Sequence, residues 1–271
     1  MRESELILNA DGSIYHLALL PEDVASTIIL VGDQNRVELV SRHFDRIEIK
    51  KHRREFITHT GWIGEKRLTV MSTGIGTDNI DIALNELDAL VNIDFKTRSV
   101  KNDIKSLRLV RIGTSGSIHP DIHLDDVVVS LYAIGTDFLG QYYGNHQSPH
   151  EDLPYWSYLV KAYPFDLSSY SGTYKEGVTI TCPGFYAAQG RSLRITPEYI
   201  LPIHHLHEIS IHGLPITNIE METSGLYLLS EKMGHQAISF NLILAQRLAG
   251  SFHKSHADSM NRLIEIILKW V

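Results

Sequence analysis

Short apolar runs that read as buried strands alternate with amphipathic helical patterns along the whole chain, and this alternation limits the possible folds most. The strand-like runs are STIILV, RLTVMS, LRLVRI, DDVVVSLYAI, GVTITC and AISFNLILA; helical patterns follow Gln34, span Asp78 to Val91, lie in EMETSGLYLLSEKMG and close the chain. No linker, repeat or low-complexity tract interrupts the pattern. We predict a single α/β domain over residues 1–271, a three-layer α/β/α fold with a central mixed β-sheet.

Composition excludes several classes of protein. With 43% hydrophobic and 21% charged residues, the chain has the balance of a globular protein. A formal net charge of −7 argues against a nucleic-acid binder, whose surface would be basic. The sequence has no run of 18 uncharged apolar residues, and its start, MRESELILNADG, lacks the features of a signal peptide. We therefore expect no membrane contact and a cytoplasmic location.

Three glycine-containing segments follow predicted strands. They are Gly32-Asp33, Gly74-Ile75-Gly76 and Gly113-Thr114-Ser115-Gly116. We predict a turn or loop at each of them, and a hairpin turn near Gly64. Because α/β proteins bind ligands at the carboxyl ends of their strands, these segments are candidate ligand loops.

An arginine stands at the end of one buried run, in LRLVRIGTSGSIHP. A buried guanidinium needs a counter-anion, so Arg111 either forms a salt bridge or awaits a bound anion, cradled with backbone N–H groups of residues 113–116. Arg36 and Arg54 also flank predicted strand ends, the latter at the start of a hairpin strand. Each arginine alone is more often a surface charge or a salt-bridge partner. Three together beside glycine turns suit a phosphate dianion.

The sequence does not contain the common motifs for nucleotide binding, serine hydrolysis or zinc binding. The chain contains neither G-x-x-x-x-G-K-[ST] nor G-x-G-x-x-G after a strand, and GTSGS lacks the last glycine of the hydrolase elbow. The histidines of PIHHLHEIS and the pair His253 and His256 lack the carboxylate spacing of a zinc site, so we predict no metal and no cofactor. The single cysteine, Cys182, excludes an internal disulfide.

Two further groups of polar residues have both a structural and a functional interpretation. Glu220 and Glu222 flank Met221 where a helix begins, as helix N-terminal charges or as acceptors for a sugar diol. Phe185, Gln189 and Arg191 lie within seven residues. They form either an ordinary loop or a binding element for a planar, carbonyl-rich heterocycle.

In order along the chain, the segments YHLAL, VGDQNRV, HRREF, STGIG, RIGTSGSI, GFYAAQGR, IEMET and LILAQR resemble the nucleoside phosphorylase superfamily, specifically its uridine phosphorylase branch. The resemblance runs from YHLAL to the closing helix. It implies a nucleoside phosphorylase-like fold and a pentosyltransferase that cleaves uridine to uracil and ribose 1-phosphate in nucleoside salvage. Inorganic phosphate is then a co-substrate.

The resemblance also assigns roles. The implied phosphate ligands are Gly32, Arg36, Arg111 and Thr114, with Arg54 of a neighbouring subunit. The implied nucleoside-binding residues are Thr114, Gly116, Phe185, Gln189, Arg191, Glu220, Met221, Glu222 and Arg247, with His16 of the neighbour at the 5′-hydroxyl. Within these sets, the resemblance implies catalytic roles for Arg111, Gln189, Arg191 and Glu222.

The implied assembly is a homodimer as the minimal active unit, with a ring of three dimers as the alternative. The chain departs from the family at Gly76-Thr77-Asp78-Asn79, where Pro-Ser commonly follows the glycine, and this weakens the expectation of a monovalent-cation site. A basic excursion at 96–108 is longer than in compact bacterial forms. Two rival functions stay open: a purine nucleoside phosphorylase of the same fold, and a non-catalytic nucleoside sensor. The former commonly has an Asp where this chain has Ala245-Gln246-Arg247.

Overall fold

The computed structural model describes all 271 residues and confirms a mixed α/β fold with a central mixed sheet. Its backbone contacts divide the chain into two compact units that interleave in sequence. The first unit comprises Met1–Ile75, Asn79–Arg111 and Leu229–Gln236; the second comprises Gly76–Asp78, Ile112–Leu228 and Ala237–Val271. That the two units form a single domain stays a prediction.

The chain forms five α-helices and fourteen strands. The helices are α1 (Gln34–Ser41), α2 (Thr77–Asn92), α3 (Leu139–Tyr142), α4 (Thr223–Met233) and α5 (Ala257–Trp270). The strands are β1 (Thr27–Val31), β2 (Arg46–Arg53), β3 (Phe56–Ile63), β4 (Lys66–Ser72), β5 (Ile93–Asp94), β6 (Ser99–Val100), β7 (Arg108–Ser117), β8 (Val127–Gly135), β9 (Tyr158–Lys161), β10 (Lys175–Thr181), β11 (Ser210–Ile211), β12 (Leu214–Glu220), β13 (Gln236–Gln246) and β14 (Ser251–Phe252). None of the helices combines the length and apolarity that crossing a bilayer requires.

In the first unit, β1 pairs in parallel with β4, and β2, β3 and β4 follow as antiparallel neighbours. Helix α1 packs against β1, β3 and β4. The apolar residues of β1 are buried, as its continuous apolar sequence predicts for a strand covered on both faces. Because β1 and β4 are parallel, the glycine segments after them lie at the same edge. A Cβ atom at Gly32 would lie 3.4 Å from the carbonyl oxygen of Gly74.

In the second unit, β10 pairs in parallel with both β8 and β12, while β13 pairs antiparallel with β8. The apolar side chains of β10 and β12 join a buried cluster with residues of the long segment between these strands, among them Leu201 and Leu206. The carboxyl ends of β8, β10 and β12 therefore meet at one edge of the sheet. Glu220, at the end of β12, lies at this edge.

Most predicted element boundaries are confirmed. Asp33 accepts a hydrogen bond from the backbone N–H of Asn35 (2.9 Å) and caps α1. Gly64 (φ 55°) turns the hairpin between β3 and β4, and Gly234 (φ 75°) ends α4. Strand β2 was not predicted, because its alternating residues are exposed or only half-buried. Arg54 consequently lies in the turn between β2 and β3, not at the start of a strand.

The predicted loop at residues 113–116 is wrong. Strand β7 continues through these residues to Ser117, and Gly116 pairs with Ile219 of β12. The small residues have a packing reason, since a Cβ atom at Gly116 would lie only 3.2 Å from Cγ of Arg247. Arg111 thus stands in the middle of a strand rather than at its end, and the backbone amides of residues 113–116 form no anion-binding loop.

Candidate active site

The two predicted phosphate arginines of the first unit that lie in regular secondary structure are both buried. Arg111 is 3% exposed in β7, and Arg36 is 9% exposed in the first turn of α1. Sequestering a guanidinium costs several kcal/mol unless anions or hydrogen bonds compensate it. Gly32, the third residue of this unit predicted to bind phosphate, directly precedes the Asp33 cap of α1. Their burial agrees with the expectation that these arginines serve a defined partner rather than the solvent.

The other two predicted residues of the first unit lie nearer the surface. Arg54 is an exposed residue with φ of 53°, and its carbonyl oxygen accepts a hydrogen bond from the Gln34 side chain (2.7 Å). His16 is half-buried, and its Nδ1 atom lies 2.6 Å from Glu86. That both residues serve a neighbouring subunit stays a prediction.

The predicted ribose residues lie at the junction of β12 and α4. Glu220, the last residue of β12, accepts hydrogen bonds from the backbone N–H groups of Glu222 (2.9 Å) and Thr223 (3.0 Å), and from the hydroxyl of Thr181 (2.6 Å). Glu222 accepts one from the backbone N–H of Gly76 (2.8 Å). Both carboxylates are buried, at 4% and 5% exposure, and Met221 between them is half-buried. The carboxylates are therefore fixed before any ligand arrives.

A buried polar cluster that was not predicted from the sequence supports this junction. Asp137, just after β8, accepts hydrogen bonds from the hydroxyls of Tyr158 (3.0 Å) and Ser224 (3.1 Å), and the backbone N–H of Ser224 donates to Thr181 (2.9 Å). Burial raises the pKa of Asp137, and burial followed by the Asp137 charge raises the pKa of Tyr158. A Cβ atom at Gly135 would lie 2.2 Å from the Tyr158 ring, so glycine is required there. The only sequence signal was an Asp directly after a buried strand.

The predicted base-reading residues form a second cluster in this unit. Gln189 ends a short 3₁₀ turn (Ala187–Gln189) and is 2% exposed. One Nη of Arg191 donates to the side-chain oxygen of Gln189 and to the carbonyl oxygen of Phe185 (2.8 Å), and the guanidinium lies 3.9 Å from the centre of the Phe185 ring. Arg247, from the end of β13, donates to the carbonyl oxygen of Gln189 (3.0 Å). The four residues, predicted from two distant segments, thus form one connected cluster.

The electrostatics of this cluster are unusual. Burial, followed by the nearby charge of Arg247, lowers the pKa of Arg191 to about 10, and burial also lowers the pKa of Arg247. Their hydrogen-bond acceptors are two carbonyl oxygens and one amide oxygen, and no carboxylate pairs with either guanidinium. Two partly desolvated cations without a carboxylate partner favour a ligand that carries carbonyl oxygens or a developing negative charge.

The last two predicted residues lie on β7 in the second unit. Gly116 lies against the side chain of Arg247, as described above, and Thr114 is half-buried two residues earlier. Alternate residues of a strand point to the same side, so Thr114 and Gly116 share a face of β7. The structure therefore places Gly116 beside the base-reading cluster; a phosphate contact of Thr114 stays a prediction.

Comparison with known proteins supports the family resemblance that the sequence motifs indicate. The profile of the Phosphorylase superfamily matches residues 26–271. A uridine phosphorylase from Thermococcus kodakarensis is 28% identical over 96% of this chain and 88% of its own length, and a DeoD-type purine nucleoside phosphorylase from Caldanaerobacter subterraneus subsp. tengcongensis is 28% identical over 83% and 84%.

A solved structure of a Trypanosoma brucei nucleoside phosphorylase, described as showing uridine phosphorylase activity, is 27% identical. Its superposition has a TM-score of 0.85 and covers 97% of this chain and 98% of that one. Together with the profile match, this likeness identifies the chain as a member of the phosphorylase superfamily, among its nucleoside phosphorylases.

Proposed function

We propose that this protein is a uridine phosphorylase: it transfers the ribosyl group of uridine to inorganic phosphate and releases uracil, as in pyrimidine nucleoside salvage. The observation that carries the proposal is the cluster of Gln189, Arg191 and Arg247, in which two partly buried guanidiniums surround a buried amide without a carboxylate. Phosphate is a co-substrate, and the reaction needs neither a metal nor a cofactor.

The cluster suits uracil as the leaving group. Cleavage of the N-glycosidic bond leaves negative charge on the base, spread over its carbonyl oxygens. Because the Gln189 side-chain oxygen accepts from Arg191, its amide nitrogen is left to donate to a carbonyl oxygen of the base. The Arg191 guanidinium donates beside it. Preorganised donors aimed at developing charge stabilise the transition state, typically by about 3–4 kcal/mol each.

The carboxylate pair suits the sugar. Glu222, held by the Gly76 amide, accepts hydrogen bonds from the ribose hydroxyls, and Glu220 supports it by capping the start of α4. Met221, which lies between the two glutamates in sequence, packs against the sugar in the proposed complex. A carboxylate beside the ribose also favours the positive charge that the ring acquires as the bond breaks.

The arginines supply the nucleophile. In the proposal, Arg36, Arg111, Gly32 and Thr114 hold phosphate beneath C1′, and attack from that side inverts the anomeric centre. Arg54 and His16 complete the site of a partner subunit, so the minimal active unit is a homodimer, and three such dimers can form a ring. The exposure of Arg54 in a turn and the half-buried position of His16 support this assignment.

Nucleoside preference tests the proposal. With phosphate present, we expect uridine to be cleaved with a far higher kcat/KM than inosine or adenosine, measured by separation of free base from nucleoside. Equal turnover of uridine and inosine would contradict the pyrimidine assignment.

The second candidate is a purine nucleoside phosphorylase, which a relative of that name at 28% identity favours. Such an enzyme benefits from an acid that protonates the departing purine. At the end of β13 this chain has Ala245-Gln246-Arg247, and Gln246 is turned to backbone groups, donating to the carbonyl oxygen of His119 (2.9 Å). The absence of an acid there favours uridine.

A further inference from the structure

The carboxylate of Glu86, on α2, is bound to His16 and its neighbour by several contacts. His16 Nδ1 lies 2.6 Å from one Glu86 oxygen, the backbone N–H of His16 donates to both oxygens (3.0 Å), and the backbone N–H of Leu17 donates to one (2.8 Å). The Glu86 side chain is only 13% exposed. One carboxylate thus fixes both the backbone and the ring of a predicted substrate-binding residue.

The loop that presents His16 is itself held. Ile14, Leu17 and Leu19 are buried, and the backbone N–H of Ile14 donates to the carbonyl oxygen of Leu19 (2.9 Å). The His16 ring also packs edge-on against Tyr15, with centroids 4.7 Å apart. The ring position is therefore set by apolar anchors, a ring contact and Glu86 together, and Glu86 is the hydrogen-bond partner of Nδ1.

The contact determines which ring nitrogen carries the proton. A carboxylate that takes two backbone N–H groups acts as an acceptor, so the short contact places a proton on Nδ1. In a neutral imidazole with Nδ1 protonated, Nε2 carries the lone pair and accepts a hydrogen bond. Nε2 can therefore accept a hydrogen bond from a hydroxyl group, and it cannot donate one to a group that only accepts.

We propose that Glu86 is a positioning residue that holds His16 in the Nδ1–H tautomer, so that Nε2 accepts a hydrogen bond from the 5′-hydroxyl of the nucleoside. This inference rests on the proposed function. It makes Glu86 a determinant of specificity for nucleosides that carry a free 5′-hydroxyl, over their 5′-deoxy and 5′-phosphorylated forms, although Glu86 does not touch the substrate.

A comparison of uridine with 5′-deoxyuridine tests the inference through kinetics. Glu86→Gln should raise the KM for uridine about 2- to 10-fold, the effect of losing the neutral hydrogen bond between His16 Nε2 and the 5′-hydroxyl, with little change in kcat. His16→Ala should do the same, and the double variant should lose no more than either single one. With 5′-deoxyuridine, all three variants should match the wild type. Glu38→Gln, the same change at an exposed helical glutamate, is the control.

The tautomer gives a readout independent of turnover. Two-dimensional NMR that correlates ring nitrogens with ring protons should show His16 as the Nδ1–H form in the wild type and a shift toward the Nε2–H form in Glu86→Gln. A glutamine at position 86 can still accept a hydrogen bond from Nδ1, so Glu86→Ala is the second variant. With its folding checked by circular dichroism, Glu86→Ala should show the shift toward the Nε2–H form.

The outcomes separate the two proposals. Equal losses on uridine and 5′-deoxyuridine in an active enzyme, or an Nε2–H wild-type His16, would overturn the inference and leave the proposed function standing. A wild-type protein that does not cleave uridine at all would overturn the proposed function, and the inference with it.

Discussion

The two segments of the second unit that we propose to bind the substrate differ sharply in how their residues are held. Residues 220–224 are buried except for the half-buried Met221, their two carboxylates accept backbone N–H groups of the same unit, and Ser224 donates to Asp137, which also accepts from Tyr158. The segment 185–200 contains Gln189, which accepts hydrogen bonds from Arg191 and Arg247. Its apolar residues Leu193 and Ile195 are 77% and 69% exposed and border an open pocket of about 360 Å³.

The difference suits the proposed roles of the two segments. Ribose is common to all nucleosides, so a rigid pair of carboxylates at a strand–helix junction suits it. The base varies among nucleosides, and a loop with a few polar anchors can change while the sheet stays the same. We infer that the carboxylate segment sets the reaction and the loop sets the base, which is consistent with the 28% identity that this chain shares both with a relative named for uridine and with one named for purine nucleosides.

The largest expected effect is at the base. Gln189→Ala should lower kcat/KM for uridine by about 10²- to 10³-fold, because it removes one preorganised donor to the leaving group, while the KM for phosphate stays nearly unchanged. Arg111→Ala should mainly damage the use of phosphate. Steady-state kinetics at varied uridine and varied phosphate measure both, and the same phosphate dependence in the two variants would show that the subsites are misassigned.

A smaller effect is expected at the sugar. Glu222→Ala should lower kcat/KM for uridine roughly 10- to 100-fold, the cost of a hydrogen bond between a hydroxyl and a charged group. The loss should be similar for any other ribonucleoside that the enzyme cleaves, since the carboxylate does not contact the base. Glu231→Ala, an exposed glutamate on the same helix, is the matched control. A loss of activity confined to uridine would contradict the assignment of the sugar to the carboxylate segment and of the base to the loop.

The smallest expected effect is one of stability. Because burial raises the pKa of Asp137, the folded state binds more protons than the unfolded state between pH 3.8 and that raised pKa. The contribution of this group to the free energy of unfolding is therefore full below pH 3.8 and declines as the pH rises through the raised pKa. The decline amounts to about 1.4 kcal/mol for each pH unit that separates the pKa of the folded state from that of the unfolded state.

Urea unfolding of the wild type and of Asp137→Asn from pH 3.8 to neutrality measures this effect. The free energy of unfolding of the wild type, relative to the variant, should fall as the pH rises. A rising difference would mean that the hydrogen bonds from Tyr158 and Ser224 outweigh burial and hold the carboxylate charged.

Periodicity and turn residues were enough to predict most strands and helices, because buried runs such as those of β1 and β13 and the glycines at 64 and 234 act locally. They failed at β7, where glycine and serine within GTSGS signalled a loop. Gly116 in this segment packs against Arg247, more than 100 positions later, and this contact leaves little room for a side chain. Packing between distant segments cannot be seen in a local pattern.

The candidate residues show the same limit. Gln189 was singled out from its own segment and Arg247 by resemblance, and only the fold shows that Arg247 donates to the carbonyl oxygen of Gln189. Glu86 and Asp137 were missed, since an acidic residue on a helix or after a strand is ordinary until its partners are known. In our proposals both act on the site through a second residue, and such roles depend on three-dimensional contacts.

Following the phosphate is the most direct test of the claim that this protein cleaves uridine by phosphorolysis. Uridine is incubated with the protein with and without inorganic phosphate, and the products are followed by ³¹P NMR together with separation of free uracil. We predict uracil and ribose 1-phosphate in equal amounts, and no uracil without phosphate. Uracil released with free ribose in the absence of phosphate, or binding of uridine without any release of base, would contradict the proposed phosphorolysis.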